Sequence, residues 1–404
     1  MSRIYHFYPQ QTWGCVMCGK CCGRDWPVPV DKAERERIAA MDLPEVQIPK
    51  KKWFSKSFIS KKNGKCIFST CDGKRCLIHA KYGLDVKALA CRLYPLDIHA
   101  WEDGSVSASL RYDCPAVANG TENTISTAIV KIDQMADEIA HYRKDPAPFY
   151  SKGVQPGLNR LREIVEAYIR IFNYPSVPLV QRFLAAAELL LFHKQKENVS
   201  DILEAENFAD DALDLMERSL ENLEYMASQA KAPVHNTMIA FRYQLVSYLR
   251  NDNGLNLFGR VTRIKKNLDF MLGARAFEIA GKSLTPLLPV LVAEKDAYEP
   301  YLRWLNGRLK SLHFCGAPAF GITFEEGMQF LLLSYPVVTV IASSLADGET
   351  ITRKDISAAL IQLDYSFLRT KLYRNKSLLK GAAVLTEHDY YLSLLKMCSA
   401  ENSL

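Results

Sequence analysis

The residues able to do chemistry are cysteines, and they are concentrated at one end of the chain. Cys15, Cys18, Cys21 and Cys22 fall within eight residues, and Cys66, Cys71, Cys76, Cys91 and Cys114 follow. Of eleven cysteines only Cys315 and Cys398 lie beyond residue 114. Such crowding is too local for core packing. Thiolates are soft ligands that select zinc, Cu(I) and iron–sulfur clusters. Cys15-x2-Cys18-x2-Cys21 has the spacing of the first three ligands of a ferredoxin-type cluster. The fourth cysteine of that pattern is missing; Cys22 is adjacent instead, and Cys114-Pro115 supplies a distant closing candidate. Adjacent side chains point apart, so Cys21 and Cys22 are not expected to serve one metal in the same way.

The candidate metal ligands are Cys15, Cys18, Cys21, Cys22, Cys66, Cys76, Cys91 and Cys114. Numerically, such a set fills two four-cysteine sites, or one cluster (4Fe–4S by its spacing) plus a zinc. Spacing leaves a structural zinc and a redox or catalytic cluster both open. Cys71, in the turn-like Thr70-Cys71-Asp72-Gly73, is the weakest of the nine. His79 and His99 lie near the cysteines in sequence and have the chemistry to ligate, although a lone histidine more often has a structural role. Cys315 and Cys398 read as buried apolar residues.

Other chemistries lack their motifs. There is no G-x-G-x-x-G after a strand, no G-x-x-x-x-G-K-[ST], no G-x-S-x-G and no C-x3-C-x2-C. Composition is that of a globular protein, with 48% hydrophobic and 24% charged residues. A net charge of +6 is too mild to argue for nucleic acid. Residues 50–65 hold a local run of lysines with Trp53, Phe54 and Phe58 among them. It reads as a solvated loop, since no RNA or DNA motif accompanies it. The start, Met-Ser-Arg-Ile-Tyr-His-Phe-Tyr-Pro, has no apolar signal-peptide run. The expectation is therefore a cytoplasmic chain whose thiols stay reduced and bind metal in preference to forming disulfides. The longest uncharged stretch, 327–346, has acidic flanks and reads as a buried helix and not a membrane span.

The elements that must position the cysteines form a module over residues 1–120. Aromatic residues 5–13 lead into the knuckle at 15–24, where Gly14, Gly19 and Gly23 permit a tight backbone. Prolines at 27 and 29 suit an extended edge segment. Asp31 and Glu34 form a capping-box pattern before a helix over 32–40. Residues 78–82 and 85–91 look helical. Alternation around Asp103-Gly104 predicts a hairpin that returns Cys114 to the module. From 121 to 404 the period becomes helical, with helices expected at 125–142, 158–172, 180–192, 208–226, 237–249, 257–272, 298–312, 324–346, 353–372 and 389–397. The fold class is thus mainly α: a small, irregular cysteine-rich module with a short hairpin, then a large all-α domain.

These motifs resemble a known family. Cys15-x2-Cys18-x2-Cys21-Cys22 is similar to the signature of the CxxCxxCC cysteine-cluster family, described as zinc- or iron-chelating. The wider context resembles one branch of it, the flagellin lysine N-methylases. The stretches carrying this are Trp26-x-Val28-x-Val30-Asp31, Cys66-Ile67-Phe68, Cys76-Leu77-Ile78-His79, Cys91-Arg92-Leu93-Tyr94-Pro95 and Cys114-Pro115, with Tyr174-Pro175 and Gln181-Arg182-Phe183-Leu184 in the helical part. The resemblance implies methyl transfer from S-adenosylmethionine to lysine amines of a flagellin-like protein by an enzyme carrying an iron–sulfur cluster. The donor pocket is then expected where module meets helical body, near Trp26, Arg92, Tyr94 and Tyr112. The alternative is a cysteine-cluster protein without transferase activity, serving electron transfer, sensing or metal handling. A nucleic-acid-binding role for residues 50–65 is a third reading. No membrane partner is expected.

Overall fold

The computed structural model describes residues 4–16, 18–23, 28–43, 57–62, 65–70, 75–121, 124–125, 133, 144–195, 232–249, 257–367 and 371–398. Most of the helix expected at 125–142, the whole of that at 208–226, and Trp26, Trp53, Phe54 and Cys71 lie outside the described residues.

The capping box predicted at Asp31 is present. Asp31 Oδ1 accepts from the Glu34 N–H at 2.7 Å, and Glu34 Oε2 accepts from the Asp31 N–H at 2.9 Å, which starts α1 (Lys32–Ala39). Short strands flank it: β1 (Tyr5–His6), β2 (Pro29–Val30), β3 (Ser57–Phe58), β4 (Lys61–Lys62) and β5 (Lys65–Cys66). Two short helices follow, α2 (Leu77–Tyr82) and α3 (Leu89–Leu93). Residues 85–88, expected as part of a helix, form a bend and turn before α3.

The hairpin forms as expected from β6 (Leu96–Ala100) and β7 (Val106–Leu110), in register from Leu96 opposite Leu110 to Ala100 opposite Val106. Its turn needs the positive φ of 83° that Gly104 adopts freely. Asp103 Oδ1 tightens the turn by accepting from the Ser105 N–H at 2.9 Å. β1 joins β7 in parallel, giving a three-stranded sheet. Then α4 (Pro115–Asn119) leads toward the helical body.

That body consists of α5 (Leu158–Phe172), α6 (Leu179–Gln195), α7 (His235–Tyr248), α8 (Leu257–Met271), α9 (Glu299–Lys310), α10 (Phe324–Leu345), α11 (Arg353–Leu363), α12 (Lys376–Leu385) and α13 (His388–Cys398). The mainly α class is therefore correct, with a cysteine-rich region of short strands ahead of a helical region. α5 buries the stripe its period predicts, including Leu158, Leu161, Ile164, Val165, Tyr168 and Phe172. α10 is the central helix. Among the described residues it alone is long and apolar enough to cross a membrane, and 94% of its most apolar window is buried inside the protein. Pro336 within it has no N–H to give to the Leu332 carbonyl, and the Tyr391 hydroxyl donates to that carbonyl instead at 2.8 Å.

Further details differ from expectation. The helix predicted over 353–372 ends at Leu363, because Asp364 turns its carboxylate inward. Its oxygens accept from Tyr112 N–H at 2.6 Å, Trp304 Nε1 at 2.8 Å and Arg308 Nη2 at 2.5 Å. This buried group staples the end of the hairpin to α9 and α11. The body also carries a small hairpin, β8 (Phe277–Ile279) with β9 (Lys282–Leu284), and a two-residue pair, β10 (Val292–Ala293) with β11 (Thr350–Ile351).

The apolar interior divides in two. A large core runs from Leu96 in the hairpin through the helical body to Cys398. A small one contains only Val28, Val30, Ile38, Ile59, Phe68, Ile78 and Ala88 among the described residues, with Cys66, Cys76 and Cys91 packed against it.

Candidate metal centre

The knuckle is shaped by Gly19, whose φ of 67° opens a turn closed by Cys22 N–H donating to the Gly19 carbonyl at 2.9 Å. This turn changes the expectation for the adjacent pair. Cys21 Sγ and Cys22 Sγ lie 4.0 Å apart, on the same side of the chain. For comparison, two ligands on a zinc tetrahedron with bonds of about 2.3 Å are separated by about 3.8 Å.

Backbone hydrogen bonds bring the remaining thiols to the knuckle. Cys66 N–H donates to the Cys22 carbonyl at 3.0 Å, fixing the β4–β5 hairpin beside it. Ser69 bridges Cys76, and Leu77 N–H donates to the Phe68 carbonyl at 2.7 Å, so Cys76 stands at the head of α2. Cys91 rides on α3 above the buried Ala88. Cys114 heads α4, delivered there by the hairpin.

All eight candidate cysteines line one cavity of about 590 Å³. Cys15 and Cys18 are exposed, while Cys21, Cys22, Cys66, Cys76 and Cys91 are half-buried. Cys114 is buried, with Cys18 close enough to affect its charge. Apolar walls come from the small core through Val28, Ile59, Phe68, Ile78 and Ala88, and Trp13 from the aromatic leader joins them. The polar side chains of the wall are Lys61, Arg75, His79, Lys87, Arg92 and Tyr94; no Asp or Glu lines it among the described residues. Hard cations such as Ca²⁺ and Mg²⁺ need oxygen donors, so the donor set suits a soft metal.

The electrostatics link three thiols. Hydrogen-bond contact with Cys21 and Cys76 pushes the pKa of Cys22 far up, with burial adding to the effect. The contact with Cys22 pulls Cys21 and Cys76 down against burial, and the Lys87 ammonium assists. Backbone N–H groups of His79 and Ile78 also favour the Cys76 thiolate. Burial pushes Cys91 up to about 12 and Cys114 to about 11, and it raises Cys66. Burial alone would lower Lys87, but Cys76, Cys91, Cys21 and Cys22 outweigh it and raise its pKa. Apart from the Cys21–Cys22–Cys76 chain of contacts, the thiols are spread around the wall. No three His, Cys, Asp or Glu donors meet at the spacing of one ion among the described residues.

Residues 14–114 match a family model, CxxCxxCC, described as a "putative zinc- or iron-chelating domain". That span begins one residue before Cys15 and ends on Cys114, so it contains the whole cavity-lining cysteine set. The chelating-domain match concerns metal binding and is silent on methyl transfer. No curated protein and no solved structure matches the chain.

Of the two histidines, His79 lines the cavity. His99 sits elsewhere, bonded to Asp145 Oδ2 at 3.3 Å with its ring 5.0 Å from that of His313. Arg92 and Tyr94 of the expected donor pocket line the cavity. Tyr112 does not: it is fully buried in the large core, because the end of the hairpin that carries it is the part covered by α9 and α11. Cys315 and Cys398 are buried in that same core, as their isolation suggested. Lys61, Arg75 and Lys87 are cavity residues the sequence reading passed over. Lys87 carries no local signal, because it stands in the turn before α3 and not on the helix that holds Cys91.

Proposed function

We propose that residues 14–114 hold a thiolate-bound metal centre, with Cys21, Cys22, Cys66, Cys76 and Cys91 as its inner donors and Cys15, Cys18 and Cys114 at its outer edge. The observation that carries this is eight cysteines, and no carboxylate among the described residues, around one cavity. Their spread around about 590 Å³ suits an iron–sulfur cluster better than a lone zinc. When bound, such a cluster supplies one-electron chemistry or a Lewis-acid iron. The chain's own contribution is to gather the thiols, keep one face apolar and offset their charge with Lys87. Iron, acid-labile sulfide and zinc are to be measured on protein purified without oxygen. Iron and sulfide in equal amounts, with absorbance near about 400 nm, are expected; stoichiometric zinc in colourless protein would make the centre structural.

One observation favours a second reading, in which the centre belongs to a protein lysine N-methylase. Arg92 and Tyr94 line the same cavity as the thiols, and Tyr94 also packs against the large core. S-adenosylmethionine would be the donor and a flagellin-like protein the acceptor. Labelled methyl transfer to flagellin by the wild type, absent in Cys91→Ser, is the result this reading requires.

A further inference from the structure

We infer that Lys87 is a positioning residue of the thiol site, a built-in counter-charge that lets Cys21, Cys22, Cys76 and Cys91 be gathered as metal-bound thiolates in a half-buried cavity. The inference rests on the metal-centre reading and adds to it a residue outside the ligand set.

Four thiolates around a divalent ion, or around a 4Fe–4S core of charge +2, leave the site with two excess negative charges. Excess charge removed from water is costly unless an opposite charge stands beside it. Lys87 meets that need: it lines the cavity, and the groups that act most on its ammonium are the thiols of Cys76, Cys91, Cys21 and Cys22. No carboxylate lines the cavity among the described residues. Of the other cations of the wall, Arg75 is exposed at the margin, where water screens it; Lys61 acts on Cys66, and neither it nor Arg92 is among the main influences on Cys21, Cys76 or Cys91, where Lys87 is.

The placement of Lys87 is set by the backbone around it. Lys87 N–H donates to the Leu84 carbonyl at 3.1 Å, closing the turn. Arg37 of α1 then grips that turn from outside, Nε to the Val86 carbonyl and Nη2 to the Lys87 carbonyl, both at 3.3 Å. On the other side Glu34 Oε1 accepts from the Leu89 N–H at 2.5 Å. Between these contacts Ala88 is 1% exposed and seated in the small core. The chain is therefore pinned on both sides of Lys87, and its side chain emerges toward the thiols.

Lys87→Met keeps the length and apolar stem but removes the charge; Lys87→Arg keeps the charge. Metal-free full-length protein is titrated with cobalt(II) alone, against a competing chelator, and thiolate-to-cobalt absorption is recorded with far-ultraviolet circular dichroism. Wild type is expected to show the thiolate–cobalt band. Lys87→Met is expected to bind about 10–100-fold more weakly, as is common for residues supporting metal ligands, with the same band and unchanged helix content. Lys87→Arg is expected to recover most of the lost affinity. Equal affinity in Lys87→Met and wild type would overturn the inference while leaving the metal centre standing. Failure of folded Lys87→Arg to recover affinity would overturn it too, as would a Lys87→Met that cannot fold while Lys87→Arg folds but binds no better than a site without the charge. A wild type with no thiolate–cobalt band would remove the metal-centre reading itself.

Discussion

At the scale of single residues, the adjacent pair Cys21-Cys22 carries the chemistry. Neighbouring side chains in an extended strand point apart, but the turn opened at Gly19 sets the two sulfurs 4.0 Å from each other. Cys22 then links Cys21 to Cys76 from another segment. Cys91 is the complementary case. Burial holds its thiol up to about 12, so at neutral pH it is protonated unless a metal displaces the proton. Cys91→Ser is therefore expected to lose the metal and to lower the melting temperature. Cys315→Ser, in the large core, should keep full metal content. Elemental analysis alongside thermal melting checks both, and metal retained by Cys91→Ser would strike that residue from the ligand set. The soft-ligand chemistry was legible from cysteine types and spacing alone. The trio and Lys87 were not, because their convergence depends on the Gly19 turn and on the strap from α1, contacts between segments tens of residues apart.

At the scale of elements, α1 does two tasks with one side chain. Glu34 completes the capping box of its own helix and accepts from the Leu89 N–H at the start of α3. Glu34→Ala removes both interactions. It is expected to cost about 1–2 kcal/mol and to weaken metal binding through the loosened Lys87–Cys91 turn; urea unfolding and chelator competition measure the two effects. An unchanged metal affinity would separate α1 from the site. The capping box, the Asp103-Gly104 hairpin and α5 were readable because each is specified by residues a few positions apart. The β8–β9 hairpin was not, since its turn uses Ala280 at a φ of 49°, where the usual signal is Asn or Gly. α12 was also missed; its short apolar run holds Gly381, which weakens a helical signal, and packing against α7 and α10 compensates.

At the scale of the whole molecule, the two cores are unequal. The hairpin and Cys114 belong with the helical body, tied to it by the buried Asp364 carboxylate and by Ser107, which bonds His313 at 3.1 Å. The seven buried residues behind the thiols form a core too small to be robust on its own, and ligation adds folding energy where apolar burial is scarce. Stripping the metal with a chelator is therefore expected to loosen residues 28–43 and 57–91 first. Helices α5, α9 and α10 should remain protected. Amide hydrogen exchange with and without chelator reads this directly, and uniform exchange in both regions would deny the small core its dependence on metal.

One cavity gathers these cysteines, and the metal centre proposed for it is a soft one. X-ray absorption at the iron and zinc edges, on full-length protein purified without oxygen, tests it most directly. A first shell of sulfur at about 2.3 Å that is lost in Cys91→Ser is expected. A shell of oxygen and nitrogen only, or folded protein holding neither metal with all eight thiols free, would contradict it.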